Sequence, residues 1–123
     1  MSDQPLTQIL KVGDVTVVEF GSRCELVEDQ ILEPLGAELL AAVRGAEPPH
    51  VVLDLSRTKF FGSGFIEVLL RIWKELQHKP QARMILCGVQ IYCREVLQIT
   101  HLDQLWPIVD TRDAALERMA SKG

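Results

Sequence analysis

The first twenty residues contain two short runs rich in apolar and β-branched side chains, with a polar break between them. The runs occupy residues 6–12 and 15–20, and Gly13 and Asp14 separate them. A Gly-Asp pair between two such runs is typical of a tight hairpin turn, because glycine adopts the backbone conformations that these turns require. The chain is therefore expected to begin with an antiparallel β-hairpin.

Four later segments carry apolar residues at the three- and four-residue spacing of amphipathic helices. The predicted helices are residues 31–44, 63–78, 92–99 and 113–120. Gly45 is expected to end the first helix and Pro80 the second. In the third helix Val96 and Ile99 are expected to face inward, and Asp113 is expected to be an N-cap or a first-turn acid of the fourth.

The segments between these helices predict short strands. Residues 50–55 and 82–89 contain continuous apolar stretches, the pattern of strands that are covered on both faces. Residues 105–109 predict a short edge strand, because Pro107 cannot donate a ladder hydrogen bond. Alternating strands and helices predict parallel neighbours joined by right-handed crossovers. The predicted fold class is α/β: one domain over residues 1–123, with a mixed central sheet that starts with the hairpin and continues in βα units, and with helices mainly on one face.

The predicted helix at residues 63–78 has a wide apolar surface made of two stripes. The first stripe is Phe65, Leu69, Ile72 and Leu76, and the second is Ile66, Leu70 and Trp73. Either both stripes face a broad core, or the second stripe belongs to a docking surface. Phe60 is expected in the core, whereas one of Phe61 and Phe65 is expected to be exposed as a contact residue, since exposed aromatic side chains often anchor interfaces.

The charge of the chain argues against nucleic acid as a partner. The formal net charge is −4 and no run of Lys or Arg stands out, whereas binding to a phosphate backbone needs a concentrated basic face. No apolar run is long enough to cross a bilayer, and the first residues lack a signal-peptide pattern. A cytoplasmic protein with no membrane partner is therefore expected. Cys24, Cys87 and Cys93 lack zinc or redox spacing and are expected to be reduced structural thiols.

Candidate catalytic and metal-binding chemistry is sparse. The histidines, His50, His78 and His101, lack metal-ligand spacing. Ser63 has a glycine on each side, but the segment lacks the glycine spacing and lysine of a phosphate loop and the outer glycines of a nucleophile elbow. Asp54 is expected to cap the loop after its strand, with a role at the site as the alternative. We expect no enzymatic activity, no cofactor and no metal.

One stretch of the sequence is similar to a known motif. It consists of Val51-Val52-Leu53-Asp54-Leu55-Ser56, then Phe60-Phe61-Gly62-Ser63-Gly64-Phe65-Ile66, then Val68-Leu69-Leu70. These residues resemble the central motif of the STAS domain, the domain of bacterial anti-sigma-factor antagonists. The likeness continues through residues 84–89, 96–106 and 113–116, so it extends over nearly the whole chain.

The resemblance implies regulation by partner switching. Antagonists of this family bind an ATPase-type serine kinase that is also the anti-sigma factor. The kinase phosphorylates one serine at the start of the second helix, which releases the antagonist, and a phosphatase resets it. The family serine corresponds to Ser63. The expected partner-binding residues are Phe61, Gly62, Gly64, Phe65, Ile66 and Leu70.

The sequence departs from the family pattern close to Ser63. Gly62 stands where the family usually has an aspartate, Gly64 where it has a small hydroxyl residue, and Phe65 where it has a glycine. Glu67 replaces a further family glycine, and residues 21–24 lack the acid that often follows the second strand. These differences leave the expected fold unchanged and bear on whether a kinase recognises Ser63.

Other interpretations of the sequence stay open. Ser63 can be no more than the N-cap of its helix, since serine is among the favoured N-caps. The chain can also be an unphosphorylated STAS scaffold or a subunit of a larger signalling assembly. A third class is a STAS module associated with a small ligand or lipid. Formation of a homodimer is also left open.

Overall fold

The structure is a computed structural model, and it describes residues 4–121. In this range the strands are Thr7–Val12 (β1), Val15–Phe20 (β2), Leu26–Val27 (β3), His50–Asp54 (β4), Phe60–Phe61 (β5), Arg83–Cys87 (β6) and Ile108–Val109 (β7). The helices are Asp29–Arg44 (α1), Ser63–Leu76 (α2), Ile91–Ile99 (α3) and Arg112–Ala120 (α4). Every helix predicted from apolar spacing is present, with ends that differ by at most two residues.

Five strands form a mixed sheet in the order β1-β2-β4-β6-β7. The hairpin β1–β2 is antiparallel, and every other neighbouring pair is parallel. Gly13 in the hairpin turn has a φ of +59°, a value that glycine adopts without steric cost. The short strand after Pro107 lies at the sheet edge. The predicted mixed α/β sheet is confirmed.

The two faces of the sheet carry different layers. Alternate residues of β2 and β4, such as Val18 and Leu53, point into the larger core, against α1, α2 and α3. Their neighbours Val17 and Val52 point to the opposite face, where α4 covers a smaller cluster with Ala115 and Met119. Helices therefore lie mainly on one face, as the sequence predicts, and β4 is buried on both of its faces.

The inward face of α3 differs from the prediction. Cys93 and Leu97 are the buried residues of this helix, and Val96 is half-buried beside them. Ile99 was expected to face inward and is instead 77% exposed. The reason is rotation about the helix axis, since a residue two positions after Leu97 lies about 200° away from it.

A lysine side chain closes the C-terminal end of α1. The last carbonyl oxygens of a helix have no N–H partner within the helix and need a hydrogen-bond donor from elsewhere. The Nζ atom of Lys79 donates to the carbonyl oxygens of Val43 (3.3 Å), Arg44 (2.8 Å) and Ala46 (2.9 Å) and lies 3.3 Å from the Glu47 carboxylate. One cation thus joins the segment after α2 to the end of α1.

An arginine does the same for α4. The guanidinium of Arg83, at the start of β6, donates to the carbonyl oxygens of Arg118 (2.9 Å), Met119 (3.0 Å) and Ser121 (3.3 Å). The other end of α4 begins with a side-chain cap, since the Thr111 hydroxyl accepts from the backbone N–H of Ala114 at 3.0 Å. The predicted role of Asp113 as first-turn acid is confirmed, while its role as N-cap belongs to Thr111.

Replacement of Lys79 tests the cap on α1. The Lys79→Met variant keeps the aliphatic stem but loses the cation, so three carbonyls lose a charged donor. We expect the free energy of unfolding to fall by about 1–2 kcal/mol, measured by urea denaturation.

The matched control is Lys74→Met on α2. Lys74 is exposed, and its side chain makes no hydrogen bond or ion pair with any residue of the described range. We expect this control to change stability by less than about 0.5 kcal/mol. Equal urea midpoints for the two variants would contradict the capping role of Lys79.

Candidate functional site

Ser63 is the first residue of α2, and its side chain is exposed. The N-cap is Gly62, whose backbone is extended (φ −109°, ψ −166°) and which has no side chain to offer. The Ser63 hydroxyl has no hydrogen-bond partner among residues 4–121. The interpretation of Ser63 as the N-cap is therefore wrong, because the residue that precedes the helix is the glycine.

Buried aromatic rings hold the segment around Ser63 in place. Phe61 in β5 and Phe65 in α2 are each 1% exposed, and their ring centroids are 4.9 Å apart. Phe65 also meets Phe20 edge to face at 5.8 Å. The expectation that Phe61 or Phe65 is exposed is wrong, since both rings are anchors that turn the intervening serine outward.

Of the three phenylalanines next to Ser63 along the chain, Phe60 is the exposed one. It was expected in the core and is instead 48% exposed. Successive side chains of a strand point to opposite sides, and Phe61 occupies the inward position of β5. Phe60 therefore points out of the core, where a partner can reach it.

The two glycines beside Ser63 have different surroundings. A Cβ atom on Gly64 would lie 2.5 Å from Cδ1 of Leu32, so α1 approaches α2 closely at this point. A Cβ atom on Gly62 would meet no atom within 4 Å. The close contact between the helices explains Gly64, whereas the space around Gly62 would admit a larger side chain.

Ser63 lines a cleft of about 470 Å³ between the N-terminal ends of α1 and α2. Its lining residues are Val27, Glu28, Asp29, Gln30, Leu32, Phe60, Gly62, Ser63, Gly64 and Phe65. Neither helix has a side-chain cap, so both present backbone N–H groups that lack an acceptor within the helix. The cleft thus combines N–H donors, a free hydroxyl and the carboxylates of Glu28 and Asp29.

The second apolar stripe of α2 divides between core and surface. Trp73 is half-buried and packs edge to face on Trp106, with ring centroids 6.4 Å apart. Ile66 is half-buried and Leu70 is 41% exposed. Trp73 belongs to the core boundary, whereas Ile66 and Leu70 present apolar surface on the helix that carries Ser63.

A family model for the STAS domain matches residues 21–115. The chain belongs to the STAS family. The match includes the strands and helices that build the cleft and the serine at the start of α2, so the resemblance seen in the sequence is confirmed.

Relatives of this STAS chain are anti-sigma factor antagonists. It is 36% identical over 83 residues to BtrV of Bordetella bronchiseptica, assigned as an anti-sigma factor antagonist, with 68% of this chain and 70% of BtrV aligned. A solved anti-sigma-factor antagonist from Planctomyces limnophilus is 40% identical, with a TM-score of 0.88 over 94% of this chain and 98% of that one. The Bacillus cell fate determinant SpoIIAA in its phosphorylated form is 22% identical, with a TM-score of 0.67 over 92% and 98% of the two chains, and shows the shared fold.

Asp54 is the strongest charged anchor at the carboxyl ends of the sheet strands. Its Oδ1 atom accepts from the backbone N–H of Ser56 at 3.0 Å, which confirms the predicted loop cap. Its Oδ2 atom accepts from Arg112 of α4 at 2.7 and 3.0 Å, and Arg112 also reaches Glu19 of β2 at 2.6 Å. Arg112 thereby fixes the start of α4 to β2 and β4.

The balance of effects on Asp54 favours its charged form. Burial alone would raise the pKa of Asp54, but hydrogen bonds from Ser56 and Arg112 outweigh burial and hold the pKa below its usual range. The ionised carboxylate is therefore part of the folded structure at neutral pH.

The three cysteines of the STAS domain are free and buried, as expected for reduced structural thiols. Burial raises the pKa of Cys24 to about 11, with the Glu38 carboxylate adding to the effect. Burial and the Asp54 carboxylate raise the pKa of Cys87 to about 12, and burial raises that of Cys93. Thiols in this state are poor nucleophiles at neutral pH.

Between residues 4 and 121 no three His, Cys, Asp or Glu side chains come together in a way that could hold a metal ion. None of the helices in that range has the length and apolar character to cross a membrane.

The α1 side of the cleft was not predicted from the sequence. Leu26 and Val27 form a two-residue strand parallel to Phe60 and Phe61, and this small sheet places Glu28 beside α2. Strands of two residues are too short for periodicity to reveal. The apolar pairs at 26–27 and 60–61 are the only signal that the sequence offers.

The pKa of Asp54 makes a testable prediction about acid stability. Because the folded-state pKa lies below the unfolded value of about 3.9, the charged carboxylate stabilises the fold at higher pH. This contribution is lost as the pH falls through the folded-state pKa. At pH 7 the Asp54→Asn variant should be less stable than the parent by about 2 kcal/mol, and the difference should shrink below about pH 4.

Urea unfolding at a series of pH values measures this difference. The control is Asp103→Asn, because the exposed Asp103 side chain has no bonding partner in the part of the chain that the structure describes. A stability gap between Asp54→Asn and the parent that stays constant from pH 7 to pH 3 would refute the assignment.

Proposed function

We propose that this STAS protein is an anti-sigma factor antagonist that binds its partner at the start of α2 and is released when Ser63 is phosphorylated. The observation that carries the proposal is the exposed Ser63 hydroxyl, which has no bonding partner among residues 4–121. The partner class is the anti-sigma factor with serine kinase activity that the family resemblance implies, and a phosphatase would restore the unmodified state. The role is regulatory, in the cytoplasm, and needs no catalysis by this chain.

The surroundings of Ser63 are compatible with a phosphate on the folded protein. A phosphoserine carries about −1.5 to −2 charges at neutral pH. The N–H groups at the start of α2 can donate to phosphate oxygens, and the helix dipole favours negative charge there. The rings of Phe61 and Phe65 lie beneath the segment and do not contact solvent. Modification therefore leaves the anchors of the fold untouched.

A docked partner would tolerate the phosphate less well than the free protein does. Ser63 lies in a cleft, so a phosphate fills volume that an incoming side chain would use. A dianion enclosed by a partner also loses its water, which costs free energy unless new donors replace it. In the free protein, water screens the phosphate from the exposed carboxylates of Glu28 and Asp29, and a partner that covers the cleft excludes this water. Association is therefore more sensitive to the modification than folding is.

Relatives support the proposal. The antagonist from Planctomyces limnophilus is 40% identical, and SpoIIAA of Bacillus exists in a phosphorylated form. Whether Ser63 of this chain is also phosphorylated is tested by the intact mass of the native protein.

One observation favours a second candidate, a constitutive binding subunit. Gly62 stands where the family usually has an aspartate, although the space beside Gly62 is open. This departure from the family pattern bears on whether a kinase recognises Ser63. In this alternative the same surface binds a partner permanently, and Ser63 is never modified.

The experiment compares the unmodified chain with a chain that carries genetically encoded phosphoserine at position 63. Each is used as bait in lysate of the source cells, and captured proteins are identified by mass spectrometry. We expect the unmodified bait to retain an ATPase-type kinase and phosphoserine 63 to lower its recovery by about tenfold, which equals about 1.4 kcal/mol.

Phosphoserine at position 121 is the matched control. Ser121 is exposed, lies after α4 and does not line the cleft, so the same charge is placed elsewhere and recovery should stay unchanged. Equal recovery with phosphoserine 63 and with the unmodified bait would reject the switch. Intact mass of the native protein completes the test, since the lack of a phosphate on Ser63 under all growth conditions would favour the constitutive subunit.

A further inference from the structure

Leu26 and Phe60 form an apolar pair on the surface next to Ser63. They are register partners on the parallel strands β3 and β5, and they are 51% and 48% exposed. The next residue of each strand, Val27 or Phe61, is buried. Because adjacent side chains of a strand point in opposite directions, both members of the Leu26/Phe60 pair point away from the core on the same side of the small sheet.

The surface formed by the Leu26/Phe60 pair is continuous with the cleft that contains Ser63, because Phe60 also lines this cleft. The charged side chains in the lining of the cleft are Glu28 and Asp29, and no lysine, arginine or histidine is among its described residues. The Asp29 side chain has no hydrogen-bond or ion-pair partner between residues 4 and 121. The Glu28 carboxylate accepts one long hydrogen bond, 3.3 Å, from the Gln30 side chain. The cleft therefore offers two carboxylates that lack a cation.

The lysine adjacent to this surface does not pair with the carboxylates of Glu28 and Asp29. Lys59, which precedes Phe60, forms an ion pair with Glu25 at 2.9 Å, and both side chains are more than half exposed. Any cation that pairs with Glu28 and Asp29 therefore comes from outside the residues that the structure describes.

We propose that the partner covers this surface with an apolar side chain on the Leu26/Phe60 pair and an arginine or lysine side chain against Glu28 and Asp29. The inference deepens the proposed function and rests on it for the identity of the partner. Apolar contact with half-exposed side chains supplies affinity, and the complementary charge sets orientation and association rate. A phosphate on Ser63 would draw this basic side chain away from Glu28 and Asp29 and would occupy part of the cleft volume that it needs. The docked arrangement is then disturbed by displacement of the basic side chain and not by charge repulsion.

A larger apolar stripe on α3 provides a reference surface. Ile91, Tyr92 and Ile99 are 72%, 70% and 77% exposed, but none of them lines the cleft. A ligand that seeks only apolar area would prefer α3, whereas one that needs the carboxylates would choose the cleft.

The test uses three small probes that share a phenyl ring and differ in charge: phenethylguanidinium, 3-phenylpropanamide and 3-phenylpropionate. Each is titrated into the ¹⁵N-labelled full chain, and Kd values are read from backbone amide shifts. We expect shifts at residues 27–32 and 60–65. The guanidinium should bind about threefold more tightly than the amide, and the carboxylate more weakly than the amide. Added salt should reduce the preference for the cation.

Variants separate the two parts of the surface. The double variant Glu28→Gln and Asp29→Asn should bind the guanidinium and the amide equally. Phe60→Ser should weaken binding of all three probes, whereas Ile91→Ser, which removes a more exposed apolar side chain on α3, should change none. All four changed side chains are exposed, and thermal unfolding checks that each variant is folded.

Two results would overturn the proposal. One is a map of shifts that centres on α3 or elsewhere outside the cleft, and the other is equal affinity of the parent chain for the guanidinium and the amide. The titration uses neither a kinase nor a phosphate, so its outcome is independent of the pull-down with phosphoserine 63. Failure of the switch and failure of the docking chemistry can thus be told apart.

Discussion

Burial of Phe61 and Phe65 is the constraint on which the geometry of the site depends. One ring belongs to the last residue of a two-residue strand and the other to the first turn of α2, and they meet at a centroid distance of 4.9 Å. Removing a buried phenylalanine costs about 3–5 kcal/mol, so these two rings determine the path of the chain between them. Ser63 lies on that path and points away from the core. Its exposure is a consequence of the packing beneath it.

Charged side chains provide a second set of constraints on the opposite face of the sheet. Arg112 ties the start of α4 to Asp54 and Glu19, and Arg83 holds the carbonyl oxygens at its end. Two residues of α4 are buried, whereas four are buried in α1 and five in α2. The contacts of Arg112 and Arg83 add to the attachment of this helix to the sheet. Since they lie on the face away from α2, a change of charge at Ser63 does not disturb them directly.

The cleft owes its shape to both helices that border it. Leu32 of α1 occupies the space that a side chain at position 64 would need, so Gly64 and Leu32 are complementary. Two-residue strands carry the chain into each helix, which places Glu28 and Ser63 on facing rims. The aspartate that the family usually has at position 62 is absent here. The carboxylates that border the cleft instead belong to Glu28 and Asp29, near the start of α1. The chemistry around the serine is a property of the assembled helix ends and not of the motif alone.

The sequence by itself determined the order of the four helices and of the five strands of the main sheet, the hairpin, the mixed sheet and the place of Ser63 at the start of a helix. These features follow from the local period of apolar residues and from Gly and Pro, which act within a few positions of themselves. It also contained the STAS motif, which named the family. Only the tertiary structure decided which aromatic side chains are buried. Phe60, Phe61 and Phe65 are chemically alike in the sequence, and their burial depends on the orientation of a strand of two residues. The partnership of Glu28 and Asp29 with Ser63 was hidden for the same reason, since more than thirty residues separate them along the chain and only packing of α1 against α2 brings them to one cleft.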